Sequence, residues 1–371
     1  LPLYLTDDQA MLRDTARSFM AEEGAIAKQL RHWRDKGCKD GFGHGLWKQF
    51  AELGFNGILI GEADGGLGLG HIEAGIVLEE IGRNLTPSPF LISAVAFVEA
   101  LKGTTHKERW YPGIIAGETV AALAIDEGAK HRPEAIAMRA ERSGNGFSLS
   151  GRKQFVVQGA SADVTLVAAS TDEGLTLFAV EKDVKGLDIE GVRLADSSIG
   201  ARLTFDNVEV DADAVVGEVG GGQAVLSRVL NAGRTGAAAE LVGVGAASID
   251  MTVDYLKQRK QFGRLIGEFQ ALQYRAAHLY AELEIARAAT MKAQQLLDEG
   301  SPDAEAMVAV AKAKAGRASQ LAVQEGVQMH GGIGMTDEYD IGLYMKRDRV
   351  LNELFGDPAY HADALARMKG Y

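Results

Sequence analysis

From Thr6 to about Gly117 the apolar positions recur at helical spacing. Leu12, Ala16 and Phe19 share one face behind Thr6-Asp7-Asp8-Gln9, which reads as an N-cap with acidic first-turn residues. Trp47, Phe50 and Leu53 mark a second helix ended by Gly54, and Ile76, Val77 and Ile81 form the stripe of a third. From about Glu118 to Gly217 the period becomes alternating, with short β-rich runs at 120–126, 136–141, 164–169, 175–181 and 201–205. Ser143-Gly144-Asn145-Gly146 is a turn signal between two of them. After Gly220-Gly221-Gly222 the pattern is helical to the end. Residues 223–260 read as one long helix studded with Gly233, Gly236, Gly243 and Gly245, small residues that let neighbouring helices approach closely. A second helix carries Leu272, Leu279, Leu283 and Leu297. Ser301-Pro302-Asp303 caps a third, with Pro at its first position, that runs to Gly331-Gly332.

These patterns predict an α+β chain of three domains: helical over 1–117, a β-barrel or sandwich over 118–220, and a helical bundle over 221–371. Strands do not alternate with helices, which argues against a doubly wound NAD-binding fold. The Gly-rich run 61–70 fails G-x-G-x-x-G because His71 stands where the last Gly should be, and it reads as a tight structural loop.

At 371 residues the chain suits two or three cores, and a formal charge of −12 argues against a nucleic-acid or anionic-membrane surface. The single cysteine, Cys38, allows no internal disulfide and no Cys metal cluster, which fits a reducing cytoplasm. No apolar run approaches the length of a membrane span, and the start, Leu1 to Asp8, is polar and acidic with no cationic leader. The Ala-rich helices offer more apolar surface than one bundle needs, which predicts an oligomer.

The chemistry concentrates at Tyr255-Leu256-Lys257-Gln258-Arg259-Lys260-Gln261-Phe262-Gly263, read as a helix end closed by the Gly, followed by Phe269-Gln270 and Gln273. A diphosphate wants this set: Arg259 is a forked cation, Gln261 an amide donor and Phe262 an apolar wall. The same residues also suit a plain amphipathic helix end with cations set against its dipole. Arg234 and Arg259 are the candidates for local basic patches.

Tyr-x-x-x-Arg-x-Gln-Phe-Gly with Phe-Gln-x-x-Gln resembles the signature of the acyl-CoA dehydrogenases. Gln328-Met329-His330-Gly331-Gly332 resembles that family's Gln-x-x-Gly-Gly turn. Weaker matches are Gly65-Gly66-Leu67-Gly68-Leu69-Gly70 and Gly151-Arg152-Lys153-Gln154-Phe155, so the likeness runs over essentially the whole chain. It implies FAD as cofactor, an acyl-CoA substrate, an electron-transfer flavoprotein as acceptor, and a C-terminal four-helix bundle at the core of a homotetramer or of a heterotetramer with a second such subunit. Arg259, Gln261, Phe262, Gln270, Gln328, Gly331 and Gly332 would serve a neighbouring subunit's FAD.

Dehydrogenation of a thioester needs a carboxylate to take the α-proton. The resemblance places it at one of two positions, held here by Gly356 and by Gly233, the residue before Arg234. Asp357 is the nearest replacement, and Asp serves as proton acceptor in nitroalkane oxidase, a relative of the same fold. Asp357 before Pro358 equally suits a helix N-cap. Glu240 is a second candidate, which also suits pairing with a cation. The family's Thr-Glu-Pro is Asp126-Glu127-Gly128, and its Trp-Ile-Thr is Phe155-Val156-Val157, where Phe155 could stack on a flavin but Val157 offers no hydroxyl. The reading is therefore an FAD-dependent acyl-CoA dehydrogenase with Asp357 and Arg234 as its catalytic residues, Asp357 being the base. The alternatives are a non-catalytic FAD-supporting subunit, as in pimeloyl-CoA-type dehydrogenases, whose Phe-Gly-Asp-x-x-x-His ending recurs here with His361, and a same-fold flavin oxidase or monooxygenase.

Overall fold

The computed structural model describes residues 3–371, so Leu1 and Pro2 of the start read above lie outside the described residues. The first helices are α1 (Asp7–Glu22), α2 (His32–Asp35), α3 (His44–Glu52), α4 (His71–Asn84), α5 (Val98–Leu101) and α6 (His106–Ile115). Seven strands follow: β1 (Ala121–Ala124), β2 (Arg139–Ser143), β3 (Gly146–Val157), β4 (Val164–Thr171), β5 (Gly174–Glu181), β6 (Leu187–Arg193) and β7 (Ile199–Val210). The rest is α7 (Gly222–Gln258), a hairpin of β8 (Lys260–Gln261) and β9 (Arg264–Leu265), α8 (Gln270–Asp298), α9 (Ala304–His330), α10 (Ile341–Glu353) and α11 (Pro358–Met368).

The chain forms two compact units, and the division falls inside α7, between Gly233 and Arg234. One unit holds the residues up to Lys28, His71–Thr86 and Arg234–Tyr371; the other holds Gln29–Gly70 and Pro87–Gly233.

In the second unit the seven strands make one sheet in the order β1-β4-β2-β3-β7-β6, with β5 on β4. β1 runs parallel to β4, which gives the sheet a mixed character. Its inner face buries Phe147, Leu149, Val167, Phe178 and Leu203, with Phe147 edge-on to Phe178 at 5.2 Å. Alternation alone had left β3 and β6 unmarked. β3 has its period broken by two register shifts against β7, and β6 lies half exposed with two acids and an Arg. The 143–146 turn signal joins β2 to β3, with Ser143 paired to Gly146 and Gly144 at φ +55°. The Gly-rich run is a structural loop, since the amides of Leu67, Gly68 and Leu69 donate to the carbonyls of Gly57, Ile60 and Ile58 at 2.8–2.9 Å. A Cβ on Gly66 would lie 2.1 Å from the Ile60 carbonyl oxygen.

In the first unit α1 opens on a capping box, with the Thr6 hydroxyl accepting from the Gln9 amide and the Gln9 side chain accepting from the Thr6 amide. α9 packs against α8, α10 and α11, and α4 against α1 and α8. The glycines of α7 do let helices close up: a Cβ on Gly243 would lie 2.0 Å from the Glu79 oxygen of α4, and one on Gly82 of α4 would lie 2.2 Å from the Glu240 oxygen. α9 starts at Ala304 after Asp303, so Pro302 stands in the turn ahead of the helix rather than at its first position. α7, at 37 residues, is long and apolar enough to cross a membrane by length and composition, with most of its apolar window buried in the protein. Its many Ala and Gly residues are why it did not read as an apolar run.

Candidate functional site

α7 ends at Gln258, one turn short of the expected glycine stop. The Arg259 amide donates to the Tyr255 carbonyl at 2.9 Å, and the chain then turns through β8 and β9 with Phe262 and Gly263 at its tip, both at positive φ (54° and 79°). Two consecutive left-handed residues are the geometry of a two-residue hairpin, which is what the Gly is for. Phe262 is 91% exposed, and its ring meets Phe269 edge-on at 6.2 Å. Lys257, Arg259, Lys260 and Arg264 make this a cationic ledge, and no ion pair engages Arg259 among the described residues. Gln261 is exposed beside it, and Gln270 opens α8 on the same segment.

The second motif meets the first. Tyr255 of α7 stacks on His330 of α9 with ring centres 4.4 Å apart, and Tyr339 flanks both. His330 is followed at once by Gly331 at φ +64°, whose amide donates to the Gln328 carbonyl, while Gln328, Gly331 and Gly332 are all exposed. Nothing lies within 4 Å of where a Cβ would stand on Gly331 or Gly332, so their backbone is open to close approach. An unpaired guanidinium, an exposed aromatic and bare glycine backbone fit a dinucleotide's diphosphate and ring. The residues present thus fit FAD at this ledge.

The carboxylate candidates are already engaged. Asp357 caps α11: its side chain accepts from the Tyr360 amide at 2.8 Å, with Pro358 at the first helical position. Its neighbours Phe355 and Gly356 sit at φ +60° and +101°. The Phe355 carbonyl accepts from Arg234 Nε at 3.3 Å and bonds His361 Nε2 at 3.1 Å, which gives the Phe-Gly-Asp-x-x-x-His run its physical basis as a loop-to-helix junction. Arg234 was expected to contribute a basic patch. It is instead buried, with a second bond to the Tyr360 hydroxyl at 3.3 Å. A Cβ on Gly356 would lie 2.5 Å from the Tyr360 ring and 3.1 Å from His361 Nε2. Glu240, 1% exposed, accepts on its Oε1 from both Arg347 Nε at 2.8 Å and Nη2 at 2.6 Å, a charge-assisted pairing of the kind its burial requires.

Lys312 escaped the sequence reading, because Lys312 and Lys314 alternate with Ala311, Ala313 and Ala315 and nothing local sets the buried one apart from the other. It is fully buried, and its Nζ donates to the carbonyls of Leu351 (2.9 Å), Asn352 (3.3 Å) and Gly356 (3.1 Å), tying the end of α10 to the 354–357 loop. Burial pushes its pKa down from 10.5 to about 7, and burial pushes that of Asp348, one of whose oxygens accepts no hydrogen bond, up from 3.8 to about 6. For Lys312 the folded value is the lower one, so between pH 7 and 10.5 the unfolded chain holds the extra proton and stability rises with pH. For Asp348 the folded value is the higher one, so stability falls as pH rises from 3.8 to 6. Urea midpoints measured against pH are therefore expected to lose their rise above pH 7 in Lys312→Met and to keep the slope below pH 6. An unchanged alkaline rise would remove Lys312 as its source.

In the sheet unit, Phe155 sits at the register shift between Lys153 and Val156, at φ +53°, where a bulge re-aims its side chain. Asp126, at the Thr position of the family motif, is taken by His131, whose Nδ1 lies 2.9 and 3.0 Å from the two carboxylate oxygens. Glu127 accepts from the buried Lys153 Nζ at 2.8 Å.

With this geometry in view, the family signatures for the acyl-CoA dehydrogenase N-terminal and C-terminal domains match residues 6–118 and 220–369. Mitochondrial isovaleryl-CoA dehydrogenase of Solanum tuberosum is 33% identical over 326 residues, which is 83% of this chain and 78% of that protein. Among solved structures, a variant of the Tcur3481–Tcur3483 steroid ACAD superposes with a TM-score of 0.89 at 29% identity, over 98% of each chain. The ChsE4–ChsE5 complex of Mycobacterium tuberculosis shares the fold, with a TM-score of 0.90 at 23% identity over the full length of both chains. The chain belongs to the acyl-CoA dehydrogenase family of oxidoreductases, with that family's helical, sheet and helical order.

Proposed function

We propose that the chain works in the FAD-dependent α,β-dehydrogenation of an acyl-CoA thioester as the FAD-supporting subunit of a heteromeric enzyme, with the proton acceptor supplied by its partner. The observation that carries this is the Gly356 position. The resemblance puts a carboxylate there, and here the space for any side chain is filled by Tyr360 and His361. Asp357 is spent on a helix cap and Glu240 on Arg347, which leaves neither poised to take a proton. Asp126, in place of the hydroxyl that would meet a flavin of the chain's own, points the same way. The residues Arg259, Gln261, Phe262, Gln270, Gln328, Gly331 and Gly332 are by contrast exposed, and they would hold the partner's FAD at its diphosphate. FAD, when bound, accepts the β-hydride; this chain's part is to bind and orient it and to keep Arg259 aimed at its negative charge.

A dimer-based tetramer is the assembly proposed, supported by Tyr274, Tyr280 and Ile285, which leave α8 with exposed apolar groups at 64%, 62% and 53%. One structural neighbour is itself titled as a complex of two chains, ChsE4 and ChsE5. An electron-transfer flavoprotein is the acceptor the resemblance implies. Flavin stoichiometry tests the reading: no FAD on the chain alone and one per pair with a partner is expected, whereas one FAD per isolated chain would overturn it.

The competing reading, with Asp357 as base, is separated by two substitutions. Asp357→Asn keeps a cap and is expected to leave both stability and flavin reduction unchanged, while Asp357→Ala should cost about 0.5–2 kcal/mol of stability. A fall of ~10²–10⁴-fold in flavin reduction for the Asn variant would make Asp357 the base after all.

A further inference from the structure

We propose that His330 is a positioning residue for FAD, holding the Arg259 hairpin and the Gly331-Gly332 turn in register; this rests on the FAD-supporting reading above. The two motifs lie on different helices, and the described contact between them runs through one ring. His330 is 3% exposed, stacked on Tyr255 at 4.4 Å with 28° between the planes, and tilted against Tyr339 at 4.9 Å. Its Nδ1 lies 2.7 Å from the Gly326 carbonyl, one turn back on α9. A carbonyl can only accept, so Nδ1 carries the proton and the ring is held at one rotation, with Nε2 left as an acceptor. From that ring the coupling continues along α7: the Tyr255 carbonyl takes the Arg259 amide at 2.9 Å, and the Arg259 carbonyl takes the Ile266 amide at 2.8 Å, closing the hairpin. On the other side, the next residue is Gly331, where the open turn begins.

The choice of residue is itself informative. Nε2 is buried and has no hydrogen-bond partner among the described residues. A phenylalanine would stack on Tyr255 as well and leave no buried acceptor unpaired, so histidine is not the choice that stability alone favours. Breaches of polar satisfaction of this kind are expected where a side chain serves a site. What histidine adds over phenylalanine is the Nδ1 tether, which sets the angle at which Tyr255, and with it the last turn of α7, meets α9.

The test separates orientation from stability. The FAD-loaded assembly that the chain forms is stripped of flavin and titrated with FAD, with a thermal midpoint recorded for each variant. His330→Phe keeps the stack and removes both the tether and the unpaired acceptor. It is expected to melt at or above the wild-type temperature while binding FAD at least about threefold more weakly, the effect of one lost hydrogen bond on orientation. His330→Ala, which also loses the stack, should weaken FAD by about tenfold or more. Wild-type affinity in His330→Phe overturns the proposal, and so does a loss of affinity in that variant accompanied by an equal loss of stability, which would make the ring a structural prop only. Arg259→Ala is the control: if it binds FAD as wild type does, the underlying reading falls and this proposal with it.

Discussion

Arg259→Ala is expected to weaken FAD retention by roughly 10- to 150-fold without lowering the melting temperature of the chain. A hydrogen bond to a charged group contributes about 1.5–3 kcal/mol, and about 1.4 kcal/mol is a factor of ten in affinity. Stability should not move because Arg259 lies exposed at the end of α7, and its backbone bonds to Tyr255 and Ile266 survive truncation. Arg259→Lys keeps the charge but not the fork, so it should recover only part of the loss. Equilibrium dialysis of the assembly against FAD measures this directly. The reading predicts a second signature, a steep salt dependence in the wild type that flattens in the Ala variant, because the lost contact is a cation facing a diphosphate. An Ala variant that holds FAD as tightly as the wild type at low salt would remove Arg259 from the cofactor site.

The largest effect on stability is expected at Arg347. Truncating it to alanine removes both of its hydrogen bonds to the buried Glu240 carboxylate. Breaking a buried pair from one side typically costs about 3–5 kcal/mol, a large share of the roughly 5–15 kcal/mol that holds an ordinary domain together. Chemical denaturation of Arg347→Ala should therefore shift far to lower denaturant. Replacing both partners by apolar residues of similar size should restore most of the loss, because the buried carboxylate is then removed together with its cation. The double variant also bears on mechanism: with Glu240 gone, an assembly that still reduces its flavin has no need of that carboxylate as a base. A double variant as unstable as Arg347→Ala would show that the cost lies in lost packing rather than in the buried charge.

How far local sequence carries can be seen residue by residue. Thr6 with Gln9, Asp357 with Pro358, and the Gly144-Asn145 turn were all legible, because a cap or a tight turn is settled by groups within a few residues of one another. The helical and alternating periods were legible for the same reason: a stripe records which face is buried without naming what covers it. β3 went unmarked because bulges interrupt its period, whereas the long helix read over 223–260 runs unbroken from Gly222 to Gln258 despite its Gly residues. The hairpin at 260–265 was mistaken for a helix end, since Phe262 at positive φ is a conformation that few side chains adopt and that its type does not announce.

By itself, then, the sequence determined the order of helical and sheet segments, most of the caps, and the two motifs proposed here for the cofactor, all of which depend on spacing along one chain. Tertiary structure decided the rest. That Glu240 meets Arg347, that Lys312 and Arg234 hold the 354–357 loop by its carbonyls, that Tyr360 closes the Gly356 position, and that His330 lies on Tyr255 all depend on which helices cross and at what height. Burying a charge or a carbonyl demands a partner, but the demand does not say where along the chain that partner stands. Only the packing of α7, α9, α10 and α11 supplies it.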